Sequence, residues 1–188
     1  MSIQSNDHAE QVSWKVDDID VEATLTRPSG DGPFPAIAMV AGSGPTDRNW
    51  NSPLIPGTNG SAALLAQVLT ERNFITLRYD KRASGPHVQQ NMQQLIGKIS
   101  MQSHLEELAG GVHLLASCRD VDPKRLFALA SSEGCIHALN YQRHAADFPF
   151  AGLILTGAPA RSIGEVARGQ IATLLATVPG GTIRLTIS

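Results

Sequence analysis

The stretch LFALASSEGCIHAL, residues 126–139, decides the fold, because an apolar run there passes through a turn of small residues directly into a helical pattern. The turn ASSEG, residues 130–134, follows the G-x-S-x-G pattern except that Ala130 takes the first glycine position. In that pattern a strained strand-to-helix turn exposes the serine hydroxyl above a sheet, and the next backbone N–H faces a developing oxyanion. The segment predicts a nucleophile elbow with Ser132 as the nucleophile.

A simpler interpretation of the same turn stays open at this point. A serine followed by an acidic residue is a common helix start, so Ser131 and Ser132 could serve only as caps of the helix. Small-residue turns between strands and helices are frequent in α/β proteins. The neighbouring segments therefore have to decide between the two interpretations.

Strands and helices alternate on both sides of this turn. Apolar runs typical of buried strands occur at 36–40, 74–79, 126–130 and 152–156, and helical periods occur at 61–72, 102–117 and 133–145. The apolar face of the first helix is expected to hold Leu64, Leu65, Val68 and Leu69. Residues 12–28 alternate as two antiparallel strands do. The pattern predicts an α/β fold with three α/β/α layers around a mostly parallel sheet.

The two long loops, 41–60 and 80–100, both follow strands. In a parallel sheet such loops lie at the carboxyl edge of the strands, where ligands bind. The end of the chain is less regular, with a predicted helix at 162–178 and a half-exposed strand at 182–187. On length alone, residues 1–188 are expected to form a single domain, in which 162–188 is a divergent tail.

Composition excludes several classes of function. The chain has 188 residues, a net charge of -2 and no long run of Lys or Arg, which argues against a nucleic-acid partner. Its polar N-terminus and the lack of a long apolar run predict no membrane association and a cytoplasmic location. Cys118 and Cys135 lie in apolar helical patterns and are expected to be buried free thiols rather than disulfide or metal ligands.

A glycine-rich loop follows the first buried strand. The loop AGSGP, residues 41–45, has backbone N–H groups that could point at a developing negative charge. A phosphate-binding loop ends in Gly-Lys-Ser/Thr, and a dinucleotide fingerprint has a third glycine leading into a helix. Neither ending follows here, so no phosphate or dinucleotide site is predicted.

Four motifs in this order and spacing, GSGPTDRNWNSPL, LRYDKRASG, the SSEG elbow and LILTGAPAR, resemble the α/β-hydrolase superfamily. The likeness is to bacterial serine hydrolases of the esterase or acyl-aminopeptidase type, and it covers residues 12–161. The resemblance implies that Ser132 is the nucleophile and that the backbone N–H groups of Ser43 and Glu133 form the oxyanion hole. It also implies a sheet that is truncated at its C-terminal side relative to such enzymes.

The resemblance assigns a structural role to the edge of the site. Gly42 and Gly44 shape the loop beside the nucleophile. The charged turn after the preceding strand, which consists of Asp80, Lys81 and Arg82, shapes the edge of the site through side-chain hydrogen bonds. Three departures from the family pattern stand out. Ala41 replaces the usual His, Ala83 replaces a glycine, and Pro86-His87 replaces a small polar ending.

The acid and the histidine of a catalytic triad are missing from the expected order of Ser, acid, His. His144 lies roughly 18 Å along its helix from Ser132, at 1.5 Å per residue. His137 is nearer, but its helix carries it away from the oxyanion hole, so a core-edge or surface histidine is expected. No third ligand supports a metal site at this pair. His87 belongs to a loop at the same sheet edge and is the one candidate base.

The sequence therefore predicts a serine hydrolase-like protein. It would cleave a small acyl ester or amide through an acyl-Ser132 intermediate if a histidine is supplied, with weak or no activity as this chain alone. The alternatives are a non-catalytic binding protein of the same fold and a self-associating remnant. No cofactor and no metal are predicted, and a homodimer is expected through an exposed sheet edge, with strand 182–187 as the candidate contact.

Overall fold

The structure is a computed structural model that describes residues 8–177. Its contacts divide the chain into two compact units with a boundary between Ala158 and Pro159. The first unit holds a sheet with its flanking helices, and the described part of the second unit, residues 159–177, holds one helix. The predicted strand at 182–187 lies outside the described residues.

The first unit is a mixed six-stranded sheet in the order β1-β2-β4-β3-β5-β6. The pairs β1-β2 and β2-β4 are antiparallel, and the other three pairs are parallel. The elements, in chain order, are β1 (His8–Val16), β2 (Ile19–Arg27), β3 (Phe34–Val40), α1 (Ser61–Thr70), β4 (Ile75–Tyr79), α2 (Val88–Leu95), α3 (Met101–Ser117), β5 (Val121–Ser131), α4 (Gly134–His144) and β6 (Gly152–Thr156). The predicted α/β class and the antiparallel pair at residues 12–28 are confirmed.

Helices cover both faces of this sheet, because the strand side chains alternate between two cores. On β3, Ala36, Ala38 and Val40 belong to the larger core, which is packed against α3 and α4. Ile37 and Met39 belong to the smaller core on the opposite face, which is packed against α1. The three-layer arrangement predicted from the sequence is therefore present.

Helix α1 packs through a different face from the predicted one. Its buried residues are Ala62, Ala66 and Thr70, which recur every four residues and allow the helix to lie close to the sheet. The side chains of Leu64 and Val68 are 60% and 55% exposed, and Leu65 is 41% exposed. Of the four predicted core residues, Leu69 alone packs against the core. The predicted packing face of α1 was wrong because it was chosen by hydrophobicity alone, whereas small side chains form the face that packs on the sheet.

The loop at 80–100 contains the short helix α2, which the sequence pattern did not predict. In the second unit, α5 (Ile163–Ala176) confirms the predicted helix, and the Ser162 side chain caps it by accepting a hydrogen bond from the Glu165 N–H at 3.3 Å. Within residues 8–177, every helix is too short or too polar to cross a membrane.

Candidate active site

The turn after β5 has the geometry of a nucleophile elbow. Ser132 is exposed and adopts a φ of 51°, a left-handed conformation that a non-glycine residue reaches only at some cost. Its N–H donates to the carbonyl of Thr156 at the end of β6, at 2.8 Å. This bond holds the strained residue at the sheet edge, where Ser132 is exposed.

The second glycine position of the elbow is required by sterics. A Cβ on Gly134 would lie 2.5 Å from the carbonyl oxygens of Val40 and Ala41. No side chain therefore fits where α4 begins against the end of β3. Ala130, at the first glycine position, is completely buried, and its carbonyl accepts from the Thr156 hydroxyl at 2.9 Å.

The two serines of the turn do not cap the helix. The N-cap residue of α4 is Glu133, and within residues 8–177 this helix has no side-chain cap hydrogen bond. The simpler interpretation of the SSEG sequence, that Ser131 and Ser132 serve as caps, is therefore not the one the structure adopts.

The glycine-rich loop after β3 lies directly against the elbow. A Cβ on Gly42 would lie 3.1 Å from Cβ of Ser132 and 3.2 Å from the carbonyl oxygen of Ser131. Gly44 adopts a φ of 81°, which favours glycine, and Ser43 between them is exposed. Among residues 8–177, no acceptor is recorded for the N–H of Ser43 or Glu133. The loop and the elbow thus bring the two predicted oxyanion donors to one edge of the sheet.

Asp80, at the end of β4, fixes the loop that follows the oxyanion segment. Its carboxylate accepts from the backbone N–H of Arg48 at 2.6 Å and from Arg48 Nε at 2.7 Å. The same guanidinium pairs with Glu22 at 2.9 Å. The Asp80 side chain is 5% exposed, so it is a buried structural acceptor in this loop.

Arg82 holds the charged turn against the larger core. Its Nε donates to Glu107 at 2.9 Å, and both side chains are almost completely buried. The remaining guanidinium nitrogens donate to the carbonyls of Val16 and Ser103, at 2.9 and 3.2 Å. One arginine therefore ties the β1-β2 turn, the charged turn and α3 together.

Lys81, between these two residues, contacts the oxyanion loop itself. Its Nζ donates to the carbonyl oxygen of Gly42 and, at 3.2 Å, to that of Gly44. Burial lowers the pKa of this ammonium, and the charges of Glu133 and Glu107 oppose the shift. The resemblance implied side-chain hydrogen bonds from this charged turn, but it did not identify the carbonyls that Lys81 contacts. Its position in a buried strand-end triplet, Asp80-Lys81-Arg82, was the available signal.

His87 lies at the same sheet edge but not at Ser132. It precedes α2, and its Nε2 is 3.4 Å from the Glu22 carboxylate. Strands β4 and β5 flank β3, so about 10 Å, two strand spacings, separates the end of β4 from the elbow. No contact between His87 and Ser132 is recorded within the described part of the chain, and the role of His87 as a base stays a prediction.

Glu22, Asp80 and His87 place their ligand atoms within 4.8 Å of one another, a spacing that suits a metal. Arg48 already pairs with both carboxylates, at 2.9 and 2.6 Å. A guanidinium therefore supplies the positive charge that a cation would bring, and this cluster is an ion-pair network.

His137 is more deeply buried than predicted. Its side chain packs on the ring of His104 at a centroid distance of 4.3 Å, and the residue is 4% exposed. Burial, followed by the charges of His104 and Lys81, lowers the pKa of His137 to about 4. His144, in contrast, is exposed and bonds the carbonyl of Asn140. One histidine of this pair is therefore buried against His104, and the other faces solvent.

A cavity of about 560 Å³ lies beside the oxyanion loop. It is bordered by the two long loops that follow β3 and β4, as the sequence predicted for a binding region. The residues that line it are mostly apolar or uncharged, among them Pro45, Asn51, Pro53, Ile55, Pro86 and Val88, and they include the charged Asp47. Such a cavity suits an uncharged group of moderate size.

The strained Ser132 thus lies at the carboxyl edge of a mixed α/β sheet, and comparisons with known proteins identify the fold. No family model matches the chain. It is 29% identical over 169 residues to Esterase EstD of Thermotoga maritima. This match covers 88% of this chain and 37% of that protein. The chain thus spans little more than a third of the length of this relative.

Solved structures share the fold at low sequence identity. Alpha/beta hydrolase GrgF from Penicillium matches with a TM-score of 0.63 and 19% identity over 90% of this chain and 52% of its own. Dienelactone hydrolase from Anabaena variabilis matches with a TM-score of 0.59 and 18% identity over 81% of this chain and 64% of its own. Pyrococcus horikoshii acylaminoacyl peptidase matches with a TM-score of 0.56 and 15% identity over 78% of this chain and 22% of its own. The chain has the α/β-hydrolase fold.

Proposed function

We propose that this chain is a serine hydrolase that cleaves a small acyl ester or amide through an acyl-Ser132 intermediate. The observation that carries the proposal is the exposed Ser132 at a φ of 51°, with the Gly42 loop packed against it. Strain of this kind is costly and persists where the surrounding structure maintains it. The similarity to Esterase EstD of Thermotoga maritima supports the same reaction type.

The proposed reaction begins when Ser132 Oγ attacks the substrate carbonyl carbon and its proton passes to a base. The carbonyl oxygen becomes an oxyanion, which the N–H groups of Ser43 and Glu133 stabilise. The intermediate collapses as the C–O or C–N bond breaks, and the leaving group takes the proton. Water then attacks the acyl-Ser132 ester, releases the acid and restores the serine.

The base limits the expected rate. The five histidines whose side chains the structure describes do not contact Ser132: His87 lies beside Glu22, His104 and His137 stack in the core, and His113 and His144 bond helix carbonyls. An oxyanion hole and binding alone retain roughly 10³ to 10⁴ of acceleration over water. We therefore propose slow turnover, with full activity requiring a base from His87, from a second copy or from outside the described residues.

An activated ester tests this proposal, because p-nitrophenolate leaves without being protonated. We expect a burst of p-nitrophenol from p-nitrophenyl acetate, stoichiometric with protein, that Ser132→Ala abolishes. Ser131→Ala is the matched control, since its hydroxyl belongs to the neighbouring residue of the same turn, and it should keep the burst. A burst that survives Ser132→Ala would contradict the proposal.

A non-catalytic binding role is the alternative that the absence of a burst would favour. The cavity beside Pro45 would then take an uncharged ligand without covalent chemistry. We also propose that the protein is soluble and cytoplasmic.

The homodimer predicted from the sequence also remains a proposal. Within residues 8–177, β6 ends the sheet, and its Ile154 and Leu155 side chains are 46% and 37% exposed on opposite faces. An apolar strand with an open edge favours pairing with another strand. Sedimentation of the chain and of Ile154→Lys would test it, because the charge should abolish the dimer.

A further inference from the structure

Lys81 has no role in the steps of the proposed reaction, although it contacts the loop beside Ser132. The residue is 4% exposed, and its Nζ donates to the carbonyls of Gly42 and Gly44, the residues on either side of Ser43. A single buried ammonium thus holds both flanks of the proposed oxyanion donor. The inference drawn from this contact rests on the proposed function.

The ammonium is buried without a counter-charge in contact. Among the ion pairs of residues 8–177, none involves Lys81. Glu133 and Glu107 act on it only from a longer distance. Burying an unpaired charge is unfavourable, and an apolar side chain of similar length would avoid that penalty. The position is therefore poorly explained by stability alone.

The geometry of the peptide group links Lys81 to the oxyanion hole. The Gly42 carbonyl and the Ser43 N–H belong to the same planar, trans peptide unit, so they point in opposite directions. Fixing the carbonyl oxygen on Lys81 fixes the direction of the N–H on the other side. Because Gly42 lies against Ser132, that direction is set beside the nucleophile.

The charge of Lys81 also acts on the strength of this donor. A cation at the carbonyl end of a peptide polarises the group and makes its N–H a better hydrogen-bond donor. The positive charge behind the peptide favours negative charge that develops in front of it, in a site where water does not screen it fully.

We propose that Lys81 is a positioning residue that orients and polarises the Gly42–Ser43 peptide, so that the Ser43 N–H stabilises the oxyanion on the substrate acylating Ser132. It does not touch the substrate. Its loss should lower the acylation rate more than substrate affinity, because the interaction is made with the transition state.

The test combines kinetics with a measurement that does not depend on activity. The burst rate with p-nitrophenyl acetate and the amide resonance of Ser43 in ¹⁵N-labelled protein are measured for the wild type, Lys81→Met and Lys81→Arg. Lys98→Met is the matched control, since Lys98 is exposed on the loop after α2. Removing a whole oxyanion donor costs roughly 10²- to 10³-fold.

We expect Lys81→Met to slow the maximal burst rate by roughly 10- to 100-fold with little change in the half-saturating substrate concentration, since the donor is misdirected rather than removed. The Ser43 resonance should move, and Lys81→Arg should recover part of both properties. Lys98→Met should match the wild type. A folded Lys81→Met with a burst rate within about twofold of the wild type would overturn the proposal.

The Ser43 resonance separates this inference from the proposed function. If the wild type gives no burst, the proposed function fails, and an unmoved Ser43 resonance in Lys81→Met still overturns the role of Lys81. If Lys81→Met does not fold, Lys81→Gln replaces it, because glutamine keeps a donor but loses the charge. Equal rates and resonances for the wild type, Lys81→Arg and Lys81→Gln would then overturn the proposal.

Discussion

Two turns flank β3 at the same edge of the sheet and are built by opposite means. The elbow at 130–134 is made of small residues, and its strain is held by backbone contacts such as the bond from the Ser132 N–H to Thr156. The charged turn at 80–82 is made of three ionic side chains, each 5% exposed or less. The elbow presents a reactive group, whereas the charged turn holds the loops around it.

This difference explains why the sequence predicts the geometry of the elbow but only the general role of the charged turn. The steric requirements of the elbow lie within five consecutive residues, so the pattern ASSEG carries them. The partners of the charged turn are distant in sequence. Asp80 binds Arg48, Lys81 binds Gly42 and Arg82 binds Glu107, which are 32, 39 and 25 residues away.

The largest expected effect comes from the charged turn. Arg82→Met leaves Glu107 buried without its ion pair, which typically costs about 3–5 kcal/mol of unfolding free energy. Urea denaturation measures the loss. Arg125→Met, at an exposed pair with Asp122, is the control and should cost less than about 1 kcal/mol. Similar losses for the two variants would show that the buried pair does not stabilise the turn.

The next effect is a dependence of stability on pH that comes from His137. This residue lies on α4, the helix that follows the elbow, and the charge of Lys81 acts on it. Its pKa is about 4 when folded, below the ordinary 6.5, so the unfolded chain binds the proton more tightly. Stability is full above about pH 6.5 and falls as the pH drops toward 4, by about 1.4 kcal/mol per unit of pKa difference.

Denaturation of the wild type and of His137→Leu between pH 4 and 7 measures this dependence. The substitution should remove most of the loss in unfolding free energy on acidification. His144→Gln, at an exposed position of the same helix, should keep it. Parallel pH profiles for wild type and His137→Leu would rule out His137 as the source.

A smaller effect is expected at the elbow glycine. Gly134→Ala places a methyl group 2.5 Å from two backbone carbonyls and should cost about 1–3 kcal/mol by overpacking. Gly169→Ala, in α5 with open space around it, should be neutral or slightly stabilising. Thermal unfolding of the two variants gives the comparison. An unchanged stability for Gly134→Ala would mean that the elbow does not need its glycine.

The smallest effect is expected at His87. Because its Nε2 faces Glu22 at 3.4 Å rather than Ser132, His87→Gln should leave the burst rate within about twofold of the wild type. A drop of 100-fold or more would instead identify His87 as the base and require the loop at 80–100 to move. Stopped-flow measurement of p-nitrophenol release distinguishes the two results.

Much of the fold could be predicted because its signals are local. The strands, α3, α4 and the elbow follow from short periodic patterns and turn residues. The packing face of α1 could not, since Ala62 and Ala66 pack by their small size and Leu64 stays exposed. The partner of Lys81 could not be predicted either, because Lys81 meets Gly42 only after β3 and β4 pair.

The central claim is that Ser132 is an activated nucleophile, and intact mass after incubation with a fluorophosphonate tests it most directly. Serine Oγ would bond to phosphorus, fluoride would leave, and the hydroxyl proton would pass to a base or water. We predict one adduct per chain, located on Ser132 by peptide mapping and lost in Ser132→Ala but kept in Ser131→Ala. No adduct on the folded wild type, or an adduct that survives Ser132→Ala, would contradict the claim.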